Sequence, residues 1–349
     1  MTKQTCQIPV LVWGGGTGGV AAALQAARSG ATTLLLTPGP WLGGMVSTAG
    51  VCCPDGNELA PWQTGLWGAF LRALYQAEPE GLDQNWVSCF GYRPTTAEGI
   101  LQNWVRELPT LQWWSNCQLL QVERSGSSVQ AVLIQRSDGV HRIACDVVID
   151  GSDRGDLLPL VETPFRLGWE AQELWEEPSA PSAQRLKSEG FFREQPVQSP
   201  TWVVMGQLQS DRPSADPDSV FDLNGTPLLL SKPFEQACAA FGLERTINYG
   251  RLPGGLVMLN WPLHGNDWHR GLERAFNADP KAEQELMAEM QAHSQFFAEE
   301  LQRCSAGWLE GGDAFPKGAG SPAPSLAGMP YWREGRRMIG IQTVIEQQL

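Results

Sequence analysis

No apolar run in the 349 residues reaches the roughly 18 positions that a membrane-crossing helix needs. Met1 to Val12 lacks a basic stretch followed by a long apolar one, so it does not read as a secretory signal. The eight cysteines contain no CxxC and show no spacing of a small disulfide-stapled domain, which makes a reduced, cytoplasmic setting the expectation. Histidine is scarce. Four scattered residues, with no HxH and no HExxH, offer no metal site. Basic residues are outnumbered 25 to 38, for a net charge of −13, which argues against nucleic acid, whose binding depends on Lys and Arg meeting phosphates. Charged residues are only 18% against 42% hydrophobic, which excludes general disorder and leaves ample material for a core. At about 150 residues per domain, the length suits two domains or one large one. The fifteen tryptophans are read as packing residues rather than ligand contacts. There is no internal repeat.

What is there begins with IPVLVW at 8–13, a short apolar run that ends at glycines. VAAALQAARS at 20–29 has helix-forming content and stops at Gly30, and ATTLLL at 31–36 is a second β-rich run. This order of strand, glycine turn, helix and strand is a βαβ unit, expected to be parallel and right-handed. WQTGLWGAFLRALYQ at 62–76 has helical spacing, and Thr95 with Glu98 suggests a capping box for a helix ending near Leu108. From Leu111 to Asp150 the pattern is β, broken at Ser125-Gly126 and Asp138-Gly139, and predicts a β-meander leading to a buried strand. Residues 176–200 read as an excursion or linker, 201–209 and 255–261 as strands, and 310–330 as an ordered or mobile loop. Asp279 and Pro280 predict the start of the longest helix, over 280–303. MIGIQTVIEQQL at the end is strand-like.

Gly14, Gly16 and Gly19 satisfy GxGxxG between that first strand and helix. Gly14 permits the turn, Gly16 lets a pyrophosphate approach the backbone, and Gly19 lets the helix lie close to the sheet. The helix N-terminus, with Thr17 and Gly18, offers free N–H groups to the phosphates. The second strand should end in an acid that holds the ribose hydroxyls, but Thr37 stands there. Thr37 can accept one hydrogen bond and cannot bind two hydroxyls as a carboxylate does.

GGGTGGVAAALQAARSGA, WLGGM at 41–45, VVIDGSDRGDLLPL and PYWREGRR together resemble the FAD-dependent oxidoreductase family of glutathione-reductase-type flavoproteins. The resemblance implies an α/β fold: a Rossmann-type FAD-binding domain with a β-meander over 1–155, then an α+β substrate domain over 156–330. Residues 331–349 would begin the return to the FAD domain. The resemblance implies FAD, with its pyrophosphate on Gly14 to Gly19 and its ring edge near Gly43, Gly44 and Met45. It implies that adenine meets the backbone around Leu120 to Val122. Gly151 and Ser152 would form the turn back to the cofactor, and Asp153 and Asp156 are either cofactor contacts or a solvated helix start. It also implies a Gly-Asp turn opening a C-terminal helix. Gly312-Asp313 is followed by Ala314-Phe315-Pro316, which cannot continue as helix, so further sequence is expected beyond Leu349.

The implied activity is hydride transfer between a small organic substrate and flavin. An NAD(P)-dependent dehydrogenase and a non-catalytic fragment with an incomplete cofactor cleft are the alternatives. Arg333, Arg336 and Arg337 suit a carboxylate substrate or reduced flavin, or else form surface salt bridges. His264 and His269 are candidate acid–base groups or surface histidines. Cys52-Cys53 reads as small packing, with a redox role as the alternative. Asp216, Asp218 and Asp222 lack the spacing of a calcium loop and read as solvated. Substrate identity and oligomeric state cannot be read from the sequence.

Overall fold

The computed structural model describes residues 2–209, 230–316 and 320–348, with side chains from Cys6 onward. Asp216, Asp218 and Asp222 lie outside the described residues.

The first β-strand, β1 (Thr2–Trp13), is followed by helix α1 (Thr17–Arg28) and strand β2 (Thr33–Leu36). Helices α2 (Gly65–Ala77) and α3 (Pro94–Arg106) precede β3 (Leu111–Trp114), β4 (Gln118–Ser125), β5 (Ser128–Arg136) and β6 (Gly139–Asp150). These strands form one sheet in the order β3-β2-β1-β6-β5-β4. β3, β2, β1 and β6 run parallel, while β6, β5 and β4 make the antiparallel meander. Leu111–Trp114 is thus the third parallel strand and not the meander's opening piece. Its LQWW pattern does not announce strand direction; that is set by α3, which returns the chain for a parallel crossover.

The straight apolar runs of β1 and β2 are what a sheet covered on both faces demands. Val12 and Leu35 belong to a core shared with Val20, Leu24, Phe70, Leu74, Leu101 and Val105 of the helices. Leu11, Trp13, Leu34 and Leu36 point the other way, into a second core with Val132, Ile134 and Ile143. The alternation follows from the strand period of two.

No capping box forms at α3. Pro94 occupies the first helical position and Arg93 is the extended N-cap without a side-chain cap. Thr95 is therefore already inside the helix. Glu98 instead accepts from Gln102 at 2.6 Å and from the N–H of Leu42.

The rest of the chain carries short helices α4 (Leu157–Leu160), α5 (Gln172–Trp175), α6 (Ala183–Ser188), α7 (Phe191–Glu194) and α8 (Gly242–Ile247), with α9 (Pro280–Cys304) the longest. Asp279 caps α9 through the N–H groups of Lys281 and Ala282, at 3.0 and 3.3 Å. Strand β7 (Phe165–Arg166) follows α4 and pairs with β11 (Arg337–Met338). Strands β8 (Val204–Leu208), β9 (Leu256–Leu259) and β10 (Leu309–Gly311) make a second sheet in the order β10-β8-β9. Past Met338 the tail is not a strand; Ile341 and Val344 are exposed there. Residues 320–330 are tied down: Met205 N donates to Ser325, Ala327 N to Val203 and Gly328 N to Thr48. Among the described residues, no helix is long and apolar enough to cross a membrane.

Candidate active site

The ends of β1, β2 and β6 stand level, because Trp13 pairs with Leu36 on one side and Asp150 on the other. The three connections leaving them are therefore forced together. Gly14 N donates to Leu36 O at 2.9 Å, Gly151 N to Trp13 O at 2.7 Å and Cys117 N to Thr37 O at 2.9 Å. A crevice at the carboxyl ends of parallel strands is where α/β sheets bind ligands.

The loop from Gly14 to Gly19 is shaped by contact as much as by conformation. Gly14 has φ +103°, and a Cβ there would sit 2.5 Å from Gly151. A Cβ on Gly19 would sit 2.1 Å from Gly14 O, so α1 presses directly on the turn. Gly16 differs: it is the helix N-cap with φ −65°, and a Cβ would meet only the Asp153 carboxylate at 2.9 Å and Gly151 O at 3.3 Å. The first-turn N–H groups of Thr17 and Gly18 have no acceptor within the helix. The loop thus leaves a bare backbone and open donors at the helix start, the surface a pyrophosphate needs.

Around it lies a cleft of about 430 Å³. Gly14, Gly15, Gly16, Thr37, Gly44 and Ser152 line it, together with Pro38, Gly39 and Pro40 after β2. Thr17, Gly18, Gly19, Gly43, Gly151 and Met45 shape this wall without lining the cleft itself. Gly43 N donates to Gly15 O at 2.7 Å, and Thr17 Oγ1 donates to Gly43 O at 3.0 Å, so the two glycine loops are stitched together. Met45 packs against the core beneath.

Thr37 is not a free ribose acceptor. It is buried, its hydroxyl donates to Gly39 O at 2.6 Å and accepts from Trp113 Nε1 at 3.0 Å, and its methyl stands 2.6 Å from where a Gly15 Cβ would be. Val122 stands further off. It sits within β4 opposite Val132, with its side chain in the second core, and is not among the residues lining the cleft. Asn116, in the β3–β4 connection, lines the cleft instead.

The turn after β6 is held by Asp150, which accepts from Ser152 N, Ser152 Oγ and Leu157 N at 3.0, 2.6 and 2.8 Å. Asp156 accepts from Trp13 Nε1 at 3.2 Å. This leaves Asp153 against Gly16. It keeps open surface toward the cleft, yet its concave setting and then Asp156 push its pKa up to about 6, with Arg154 opposing. Arg154 pairs with Glu283 at 2.7 Å, donates to Ala275 O at 2.9 Å and lies over Trp332 at 5.5 Å. It is the one cation among the described lining residues.

Sequence reasoning missed Arg154, Trp41, Trp202 and Trp332. Four tryptophans line the cleft, Trp13, Trp41, Trp202 and Trp332, and all but Trp41 are at the same time buried core residues, as the packing reading expects. The catalytic candidates separate. His264 and Arg333 line a second cavity of about 1000 Å³ that shares no residue with the cleft. Arg336 lines neither. It donates to Arg154 O and Phe276 O at 3.2 and 3.1 Å and lies over Phe276 at 5.1 Å, bracing the turn from behind. Arg337 pairs with Glu334 and Glu170. Cys52 and Cys53 are buried and unpaired, and burial raises both thiols well above the ordinary range.

A βαβ sheet with a glycine loop opening its first helix, facing a cleft at the strand ends, defines a dinucleotide-binding protein. The model of the FAD dependent oxidoreductase family matches residues 9–349, and the chain belongs to that family, with FAD as its cofactor. No curated protein matches the chain. Among solved structures, it is similar to L-proline dehydrogenase from P. horikoshii at 17% identity, TM-score 0.27, covering 42% of this chain and 22% of that one. It is similar to the flavin-dependent brominase Bmp2 at 13%, TM-score 0.37, covering 60% and 48%. It is also similar to p-nitrophenol 4-monooxygenase PnpA from Pseudomonas putida DLL-E4 at 12%, TM-score 0.35, covering 58% and 47%. The chain spans less than half the length of each of these solved chains.

Proposed function

We propose that this chain transfers a hydride between a small organic substrate and FAD. Bound flavin supplies the electron-accepting ring, and the protein binds, orients and shields it. Gly14, Gly16 and the N–H groups of Thr17 and Gly18 would hold the pyrophosphate, with Gly19 setting the helix close behind. Pro38 to Pro40, after Thr37, would face the adenosine half. Gly43, Gly44 and Met45 would meet the ring edge, with Trp41 and Trp202 keeping water from it. Gly151 and Ser152 would close the site, and Arg154 would offset the negative charge gathered by Asp153, Asp156 and Glu283. The observation carrying this reading is that Gly14–Gly16, Pro38–Pro40, Gly44 and Ser152–Arg154 all line one cleft.

In the same reading, residues 1–155 serve the cofactor, 156–330 the substrate, and 331–349 return toward the cofactor side. A cytoplasmic setting agrees with eight unpaired cysteines. The test is anaerobic mixing of the FAD-loaded protein with candidate organic donors, read as bleaching of flavin absorbance. A donor deuterated at the oxidised carbon should bleach the flavin more slowly. Bleaching with no isotope effect, with flavin reduction rate-limiting, would exclude hydride transfer.

A further inference from the structure

The second cavity collects charge of the wrong sign for this molecule. Acids outnumber bases 38 to 25 in the chain, yet the described lining holds Lys232, Arg270 and Arg333 against a single acid, Asp267. That acid is already committed. Arg333 Nη2 donates to Asp267 Oδ1 at 3.2 Å and to Asn260 Oδ1 at 3.0 Å, and Thr201 Oγ1 donates to Asp267 as well. The pair is half-buried and internally neutral. Lys232 and Arg270 are exposed and carry no ion pair among the described residues, so the described lining has a net positive charge. Cations left open around a concave surface focus their field on its interior.

The remaining wall is aromatic and imidazole. Trp169, Phe191 and Trp268 line the cavity with rings that keep open apolar area, while Phe234 is fully buried in the wall beneath His293. Three of the chain's four histidines, His264, His269 and His293, converge here. Among the described residues they form no metal-holding group. His293 packs between Phe234 and Trp268, at 4.9 and 5.2 Å between ring centres. Its Nε2 lies 3.2 Å from Gly265 O, which can only accept, so Nε2 carries the proton. Burial holds this ring's pKa below the ordinary value, and the nearby His269 and Arg270 act the same way against Asp267. His293 is thus a neutral wall rather than a further cation.

We propose that this cavity is a binding site for an aromatic carboxylate, separate from the flavin cleft. The ring would lie among Trp268, Trp169 and Phe191, and the carboxylate would meet Lys232 and Arg270. The wall between the two cavities is thin in sequence: Trp202 and Trp332 line the cleft, while Arg333 lines the second cavity and Thr201 holds its Asp267.

The probes are benzoate, indole-3-acetate and naphthalene-2-carboxylate, each against its own carboxamide, titrated calorimetrically into the FAD-loaded protein. At least one acid should bind at sub-millimolar concentration, and its amide should bind about tenfold more weakly or worse, the scale of one charged hydrogen bond. The exposed double variant Lys232→Gln/Arg270→Gln should lower the acid's affinity to that of the amide while retaining full flavin content. Gly16→Val, which strips the flavin, should leave acid binding intact. Acid and amide binding alike, an unaffected double variant, or no acid binding at millimolar concentration would each overturn the proposal. Loss of acid binding together with flavin would overturn it too, by placing the acid in the cleft.

Discussion

Gly16 and Gly19 stand in one loop, but a side chain at each meets a different obstacle. At Gly19 a Cβ would run into the backbone of Gly14, which cannot yield without moving the strand-to-helix turn. At Gly16 the backbone is already in a region any residue adopts, and the nearest atom is the end of the Asp153 side chain. Gly16→Val should therefore lose FAD while keeping its melting temperature within a few degrees, whereas Gly19→Val should lower both. Released flavin and thermal unfolding, measured on the same samples, check the pair; full flavin content in Gly16→Val would move the phosphate site elsewhere. Asp153 gives a second residue-scale expectation. Its carboxylate faces the position proposed for the pyrophosphate, so protonation should favour FAD. With its pKa raised to about 6, affinity should be flat below that pH and fall above it, by at most about tenfold per pH unit, the slope of a single proton. The same raised value means that its contribution to folding stability is complete below the ordinary Asp range and is lost as pH rises through about 6. Asp153→Asn should flatten the dependence of FAD affinity on pH between about 5 and 8, as about one proton's worth of slope disappears. A wild-type affinity constant across that range would refute the assignment.

Helix α3 shows how an element serves a site it does not line. Its N-cap residue Arg93 pairs bidentately with Glu78 at the end of α2, at 2.8 to 3.2 Å, and the Glu78 side chain is fully buried. Arg93→Ala would leave that carboxylate without its counterion. Because Arg93 is itself 41% exposed, solvent recovers part of the loss, so the cost should be about 1.5–3 kcal/mol, the value of charged hydrogen bonds rather than that of a sealed pair. Chemical denaturation measures it, and a change under about 0.5 kcal/mol, ordinary for a surface position, would count against the pair. Elements like this were partly legible in the sequence. β1, α1 and β2 could be read because apolar runs, glycines and a helix former follow one another with local meaning. α9 could be read from Asp279 and Pro280. β3 could not be assigned to the parallel sheet, because LQWW carries no mark of direction and its partner β2 lies more than 70 residues earlier. Thr95 and Glu98 matched a cap in spacing, but Pro94 had already fixed the helix start. The glycine half of the cleft was legible for the same reason as β1. Arg154, Trp202 and Trp332 were not, since only the tertiary fold brings 154, 202 and 332 to one wall.

At the scale of the whole molecule, charge opposes the cofactor. Residues 1–150 carry 8 basic and 11 acidic side chains, net −3, and residues 151–349 carry 17 and 27, net −10. The half that supplies the glycine loop is the less repulsive one, but FAD must still approach a molecule of net charge −13 with an anionic pyrophosphate. Close to the loop two features work the other way: α1 presents its positive end, and Arg154 lies in the wall beside Asp153, Asp156 and Glu283. These local attractions act over contact distances, whereas the net charge acts over the range that salt controls, about 8 Å at physiological ionic strength. Encounter is set by the longer range and retention by the shorter. Raising salt from low to physiological strength should therefore speed FAD association a few-fold. The dissociation rate should change less, because the contacts holding the phosphates are partly shielded from solvent. Stopped-flow quenching of flavin fluorescence on mixing with the stripped protein separates the two rates. If association instead slows as salt rises, steering by Arg154 and the start of α1 governs the approach, and the net charge of the molecule has no hold on how its cofactor arrives.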